Sequence, residues 1–145
     1  MSFALESRPA MTLVDDDFHS ARLLTRMLAA HGGPQVEHLP DPDVALGEIS
    51  ARSNVPGDEP MFVIADLKRS SVATRDFVAA LNAAAPGVTI VAMAPSLQKS
   101  VRDCLLEAGA AAVFERHADV NLYRREAASI IAFWVRGQHL DVVGT

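Results

Sequence analysis

The sequence predicts an α/β fold: one doubly wound domain whose parallel five-stranded sheet is covered by helices on both faces. Three observations carry this. Short apolar runs alternate five times with stretches of helical periodicity, which implies βαβ units joined by right-handed crossovers. Two of those runs end abruptly in aspartate, as buried strands do where they emerge at a polar rim. The 145 residues, 50% of them apolar, suit one well-filled core, whereas two domains would leave each core starved.

Each element follows from local chemistry. Ala10–Val14 is the first apolar run and stops at Asp15-Asp16-Asp17. From Phe18 to Ala30, apolar residues recur at three and four (Ala21, Leu24, Leu28; Leu23, Met27, Ala30), and Gly32-Gly33-Pro34 ends that helix. Gln35–Leu39 alternates weakly as a second strand. Asp41-Pro42-Asp43 starts a second helix reaching Arg52, with Asp41 capping free amides and Pro42 suited to a first turn. Ser53–Pro60, rich in Pro, Gly, Asn and acid, reads as a surface loop. Met61–Asp66 is the third strand, again ending in aspartate. A third helix is expected over Asp76–Leu81, broken by Pro86-Gly87, then a fourth strand over Val88–Met93. The remaining elements are a helix over Ser96–Ala108 with Gly109 at its end, a strand over Ala111–Phe114, and a last helix over Val120–Arg136. The domain is thus expected over 10–137, with an N-terminal extension at 1–9 and a tail at 138–145.

Composition narrows the function. The net charge is −5 and the thirteen Lys and Arg are scattered, so the chain carries no electrostatic footprint for nucleic acid or an anionic membrane. A single cysteine, Cys104, excludes an internal disulfide, and there is no Cys-x-x-Cys metal spacing. The amino terminus lacks a basic start followed by an apolar stretch, and no segment reaches the roughly 18 unbroken apolar residues of a membrane span. The expectation is a cytoplasmic protein. The five histidines form no spaced pair on a helix face and are read as surface or cap residues. Cys104, among Val101, Leu105 and Leu106, is read as packing.

In open parallel sheets functional groups collect beyond the carboxyl ends of the strands, near the switch in strand order. Asp15, Asp16 and Asp66 meet there if strands one and three are neighbours, as the flavodoxin-like order 2-1-3-4-5 requires. Carboxylates held close must raise a pKa or recruit a cation, and a hard divalent ion such as Mg²⁺ is the natural solution. Acidic residues after a strand also cap helices, and that is the reading preferred for Asp17.

Val14-Asp15-Asp16-Asp17-Phe18, followed by a helix ending at Gly32, resembles the start of response-regulator receiver domains. Val63-Ile64-Ala65-Asp66 resembles their third strand, and Glu107–Phe114 the turn into their fifth. The resemblance spans Thr12 to Arg136. It implies a flavodoxin-like (βα)5 sandwich and a signalling module rather than an enzyme. Asp66 would accept a phosphoryl group from a histidine kinase or phosphotransfer protein. Asp15, Asp16, Asp66 and the backbone carbonyl of Lys68 would hold Mg²⁺, which offsets the repulsion between carboxylate and phosphoryl donor.

Several positions depart from the family. Its strand-four hydroxyl residue falls on Ala94, and the next position on Pro95, which has no N–H to offer. The phosphoryl-pairing lysine becomes Arg116, a longer planar fork. The proline after it becomes His117, where a cis bond would cost about 2.5–4 kcal/mol. The usual Met-Pro after the acceptor is Arg69-Ser70, and the aromatic switch position is Val113. Moving strand four by two residues would bring Ser96 toward the hydroxyl position, at the cost of an insertion in a short strand. Each hydrogen bond to an ionised group is worth about 1.5–3 kcal/mol, so two absent donors weaken the bias toward an activated state.

The leading expectation is therefore an atypical single-domain receiver, with no output domain following, that signals to a downstream protein and uses Asp66 as a Mg²⁺-dependent phosphoacceptor. A pseudo-receiver that never needs phosphate is the first alternative. A haloacid-dehalogenase-like phosphohydrolase built on Asp15-x-Asp17 is the second. On the last helix Ile130, Ile131, Phe133, Trp134 and Val135 exceed one core-facing stripe. Either Leu140–Val143 folds back over them, or the fourth and fifth helices form a homodimer or partner surface.

Overall fold

The computed structural model describes residues 9–55 and 61–143. Its elements run β1 (Met11–Val14), α1 (Phe18–Ala30), β2 (Val36–Leu39), α2 (Pro42–Ser53), β3 (Phe62–Ala65), α3 (Ser71–Ala84), β4 (Thr89–Ala94), α4 (Lys99–Ala108), β5 (Ala112–Glu115) and α5 (Val120–Val143). All strand pairs are parallel, in the order β2-β1-β3-β4-β5. The parallel sheet is the one the alternating runs predict, and its strand order is the expected 2-1-3-4-5.

Because side chains alternate across each strand, the sheet divides the core in two. Val14, Val63, Ala65, Ile90, Ala92 and Ala94 face α2, α3 and α4, meeting Ile49, Val78, Leu81 and Leu105. Met11, Leu13, Ile64, Val91 and Met93 face α1 and α5, meeting Leu24, Leu28, Ala127 and Ile130. Burying both faces explains why the central strands read as continuous apolar runs rather than alternating ones.

Helix starts follow their caps. Asp17 accepts from Ser20 N at 3.1 Å, Asp41 from Asp43 N at 2.9 Å, and Ser70 from Ala73 N at 3.0 Å. The Ser70 cap starts α3 at Ser71, five residues before the expected Asp76: the first turn exposes Val72 and buries the polar Thr74, which hides the helix from apolar periodicity, while its cap is explicit. α4 begins at Lys99, not Ser96, and its N-cap residue Gln98 makes no side-chain cap bond.

The last helix corrects two expectations. It continues through Val143 instead of ending at Arg136, so Leu140–Val143 extends α5 rather than folding back. The excess apolar width is largely used within the domain. Ile130 and Ile131 are buried, while Phe133 and Trp134 pack against the same cluster, with Phe133 6.2 Å from Phe62 and 6.1 Å from Phe114 between ring centres. Val135 remains exposed. Among the described residues no helix is long and apolar enough to cross a membrane. Residues 1–8 of the expected extension and 56–60 of the expected loop lie outside the described residues.

Candidate functional site

The strand ends bring the acidic residues together. Backbone bonds carry the sheet one residue beyond β1 and β3: Asp15 N donates to Leu39 O at 3.3 Å and Asp66 N to Val14 O at 2.9 Å. Both aspartates are fully buried, while the Asp16 side chain keeps 19% of its surface.

All six oxygens of these carboxylates already face an N–H. Asp15 Oδ1 accepts from Asp17 N at 2.9 Å and Oδ2 from Lys68 Nζ at 2.9 Å. Asp16 Oδ1 accepts from Lys68 N at 2.6 Å and Oδ2 from Arg69 N at 3.2 Å. Asp66 Oδ2 accepts from Lys68 Nζ at 2.6 Å, and Oδ1 pairs with the Arg116 guanidinium. Buried charges are tolerated when paired and hydrogen-bonded, and these are both.

Two features aim Lys68 at the hollow. Thr74, a buried hydroxyl on α3 that sequence reading passed over, accepts from Leu67 N at 3.1 Å and donates to Leu67 O at 3.2 Å, pinning the turn after Asp66. Asp16 holds the Lys68 amide. A threonine at the fourth position of a capped helix was a legible sign only once α3 was known to start at Ser71.

Lys68 therefore enters the site through its amine, where the resemblance called for its carbonyl. The arrangement does not fit a divalent ion: the ammonium lies between the carboxylates that would ligate one. No group of three or more acidic, histidine or cysteine residues is disposed to hold a metal among the described residues.

Burial, the largest influence, pushes the Asp15 carboxyl above its ordinary value of 3.8, with the Asp66 charge adding to the rise and the bonds from Lys68 and Asp17 opposing it. A carboxyl raised in the fold binds its proton more tightly there than in the unfolded chain. Its contribution to stability is thus fully present below pH 3.8 and is lost as pH climbs through the raised value. Denaturant unfolding of wild type beside Asp15→Asn should show the stability difference moving against wild type as pH rises above 3.8. A difference independent of pH would contradict this.

Ala94 ends β4, paired with Glu115, so the strand is not shifted toward Ser96. Ala94, Pro95, Thr74, Leu67 and Arg116 line one small hollow beside Asp66, with no hydroxyl from Ala94 and no N–H from Pro95. Val113 is half-buried against the α3–α4 side of the core. Arg116 reaches Asp66 although every described peptide bond, Arg116–His117 included, is trans.

The neighbouring side chains are also engaged. Asp17 caps α1, as expected, and the bond from Ser20 N holds its carboxyl below the ordinary range. His38 Nε2 donates to the Asp15 carbonyl at 2.7 Å, and His117 sits 3.4 Å from Glu115 and 3.5 Å from Glu126. Tyr123 is buried behind the site, its phenol pushed well up by burial first and the Asp66 charge second.

Comparison with solved structures identifies the fold. A response regulator receiver domain from Rhodospirillum rubrum matches at TM-score 0.72 and 14% identity, covering 86% of this chain and 92% of that one. A signal receiver domain from Vibrio parahaemolyticus matches at TM-score 0.71 and 19% identity, covering 95% and 98%. The chain has the receiver fold. A response regulator from Burkholderia pseudomallei, whose structure holds a phosphorylated aspartic acid, a calcium ion and citrate, matches more loosely, at TM-score 0.57 and 19% identity over 90% of this chain and 73% of that one. No family model and no curated protein matches the sequence. This receiver fold thus carries five helices, the expected strand order and an acidic rim that holds its own cations.

Proposed function

We propose that this chain is a signalling module of the receiver fold that acts by contact with another protein, with Asp66 as a charge anchor rather than a phosphoacceptor. The observation that carries the reading is the engagement of all six carboxylate oxygens at the rim. A nucleophilic carboxylate must offer an oxygen to the phosphoryl donor in line with its leaving group, and both Asp66 oxygens are buried and held by cations. Ala94 and Pro95 add no donor for a phosphoryl group. The homodimer through α4 and α5 loses its main ground, since most of the apolar surface that suggested it is spent inside the domain.

Incubation with acetyl phosphate and Mg²⁺, read by intact mass, should leave the wild type without an adduct. A phosphoryl adduct that disappears in Asp66→Asn overturns the proposal.

One observation favours the second reading, a phosphorelay receiver served by a histidine kinase or phosphotransfer protein. Arg116 pairs with Asp66 despite replacing a lysine, so a cation suited to a phosphoryl oxygen is already in position. The same mass spectrum separates the two.

A further inference from the structure

We infer that the Lys68 ammonium is a built-in cation that takes the place of a divalent metal in the acidic hollow, so that the folded chain neither requires nor admits Mg²⁺. The inference rests on the reading of Asp15, Asp16 and Asp66 as one acidic site, and not on whether Asp66 is ever phosphorylated.

Three groups of contacts converge on it. The ammonium directs its three donors at two buried aspartates: Asp15 Oδ2 at 2.9 Å, Asp66 Oδ2 at 2.6 Å and the Asp66 carbonyl at 3.5 Å. Lysine suits this role because its charge is compact and its donors radiate from one atom, which lets it bridge carboxylates from two strands as a small ion does. The backbone is built to deliver it: the Lys68 amide is held by Asp16 at 2.6 Å, and Leu67 is clamped twice by Thr74.

The same arrangement excludes a metal. Mg²⁺ would need the oxygens that Lys68 holds, at about 2.0–2.1 Å and in near-octahedral order. It would also sit within a few ångströms of a positive charge in a partly desolvated hollow, where like charges repel strongly. Asp16, the most exposed of the three, has both oxygens on backbone N–H groups of Lys68 and Arg69. Arg116 supplies the second charge, so two buried carboxylates face two cations without help from solution.

The test compares wild type, Lys68→Met and Lys68→Arg by thermal melting in EDTA and in millimolar Mg²⁺, with Mn²⁺ uptake read from the loss of the free-ion EPR signal. The wild type should melt at the same temperature in both buffers and leave the Mn²⁺ signal unchanged. Lys68→Met should melt lower in EDTA and recover by roughly 5–10 °C when the divalent ion binds only the folded state. It should also take up Mn²⁺, while Lys68→Arg should stay indifferent to metal. Mn²⁺ uptake by the wild type overturns the inference, whatever the variants do. So does Lys68→Met melting like wild type in EDTA. If Lys68→Met does not fold in EDTA, its folding on addition of Mn²⁺ supports the inference and its failure to fold with Mn²⁺ overturns it. An acetyl phosphate adduct formed in EDTA would defeat the proposed function and leave this inference standing.

Discussion

Asp66→Ala is expected to lower the unfolding free energy by about 2–3 kcal/mol, near the low end of what breaking a buried charge pair costs. For a chain of this size that is a fall in melting temperature of roughly 4–12 °C. The sign is the informative part. If the rim were a cluster of bare carboxylates, removing one would relieve repulsion and raise stability. Here the removal leaves Arg116 without its carboxylate and Lys68 with Asp15 alone. The loss is not larger because Lys68 and Arg116 keep 21% and 23% of their side-chain surface and can turn toward water. Asp66→Asn should lose less than Asp66→Ala, since the amide keeps the shape and still accepts a hydrogen bond. Chemical denaturation with unchanged m-values checks both. A rise in stability for either variant would mean that the ion pairs do not form.

The second large effect is at Gly109. This residue closes α4 with φ at +126°, a region that L side chains rarely adopt, and its amide bonds Leu106 O at 3.1 Å. A Cβ placed there would lie 2.5 Å from Asn82 Cγ and 2.7 Å from Asn82 Cβ on α3. Gly109→Ala therefore combines backbone strain with a steric clash, for an expected loss of about 2–4 kcal/mol. Adding Asn82→Ala should recover only part of it, because the Asn82 Cβ contact and the φ strain both persist. Full recovery in the double variant would assign the whole effect to the asparagine side chain, and a fully stable single variant would refute the backbone argument.

How much was legible in the sequence varied by element. The strands were plain because a sheet buried on both faces leaves an apolar run that stops at the rim. α1 was plain because its stripe, its Asp17 cap and its glycine stop agree. α3 was half hidden: its first turn, Ser71 to Thr74, exposes Val72 and buries the polar Thr74, so the periodic part began at Asp76, while the Ser70 cap marked the true start. α5 was read short because its carboxyl-terminal turns carry mixed residues with no stripe to announce them, and helices extend wherever their backbone bonds continue.

At the site, the meeting of Asp15, Asp16 and Asp66 could be inferred from two aspartate-ended strands and one strand order. The role of Lys68 could not. A lysine two residues past a strand is usually a solvated side chain, and nothing in its spacing says whether it offers its carbonyl outward or its ammonium inward.

The sequence by itself determined the layered parallel sheet and the two acid-ended strands, because these follow from apolar patterning acting along the chain, while its likeness to receiver domains supplied the strand order that gathers the acid at one edge. Only the tertiary structure decided what neutralises that acid. Once Thr74 and Asp16, far apart in sequence, fix the backbone around Lys68, its flexible stem reaches two buried carboxylates at once. Charge compensation in a desolvated hollow depends on distances of a few ångströms, and residues remote along the chain acquire those distances only by folding.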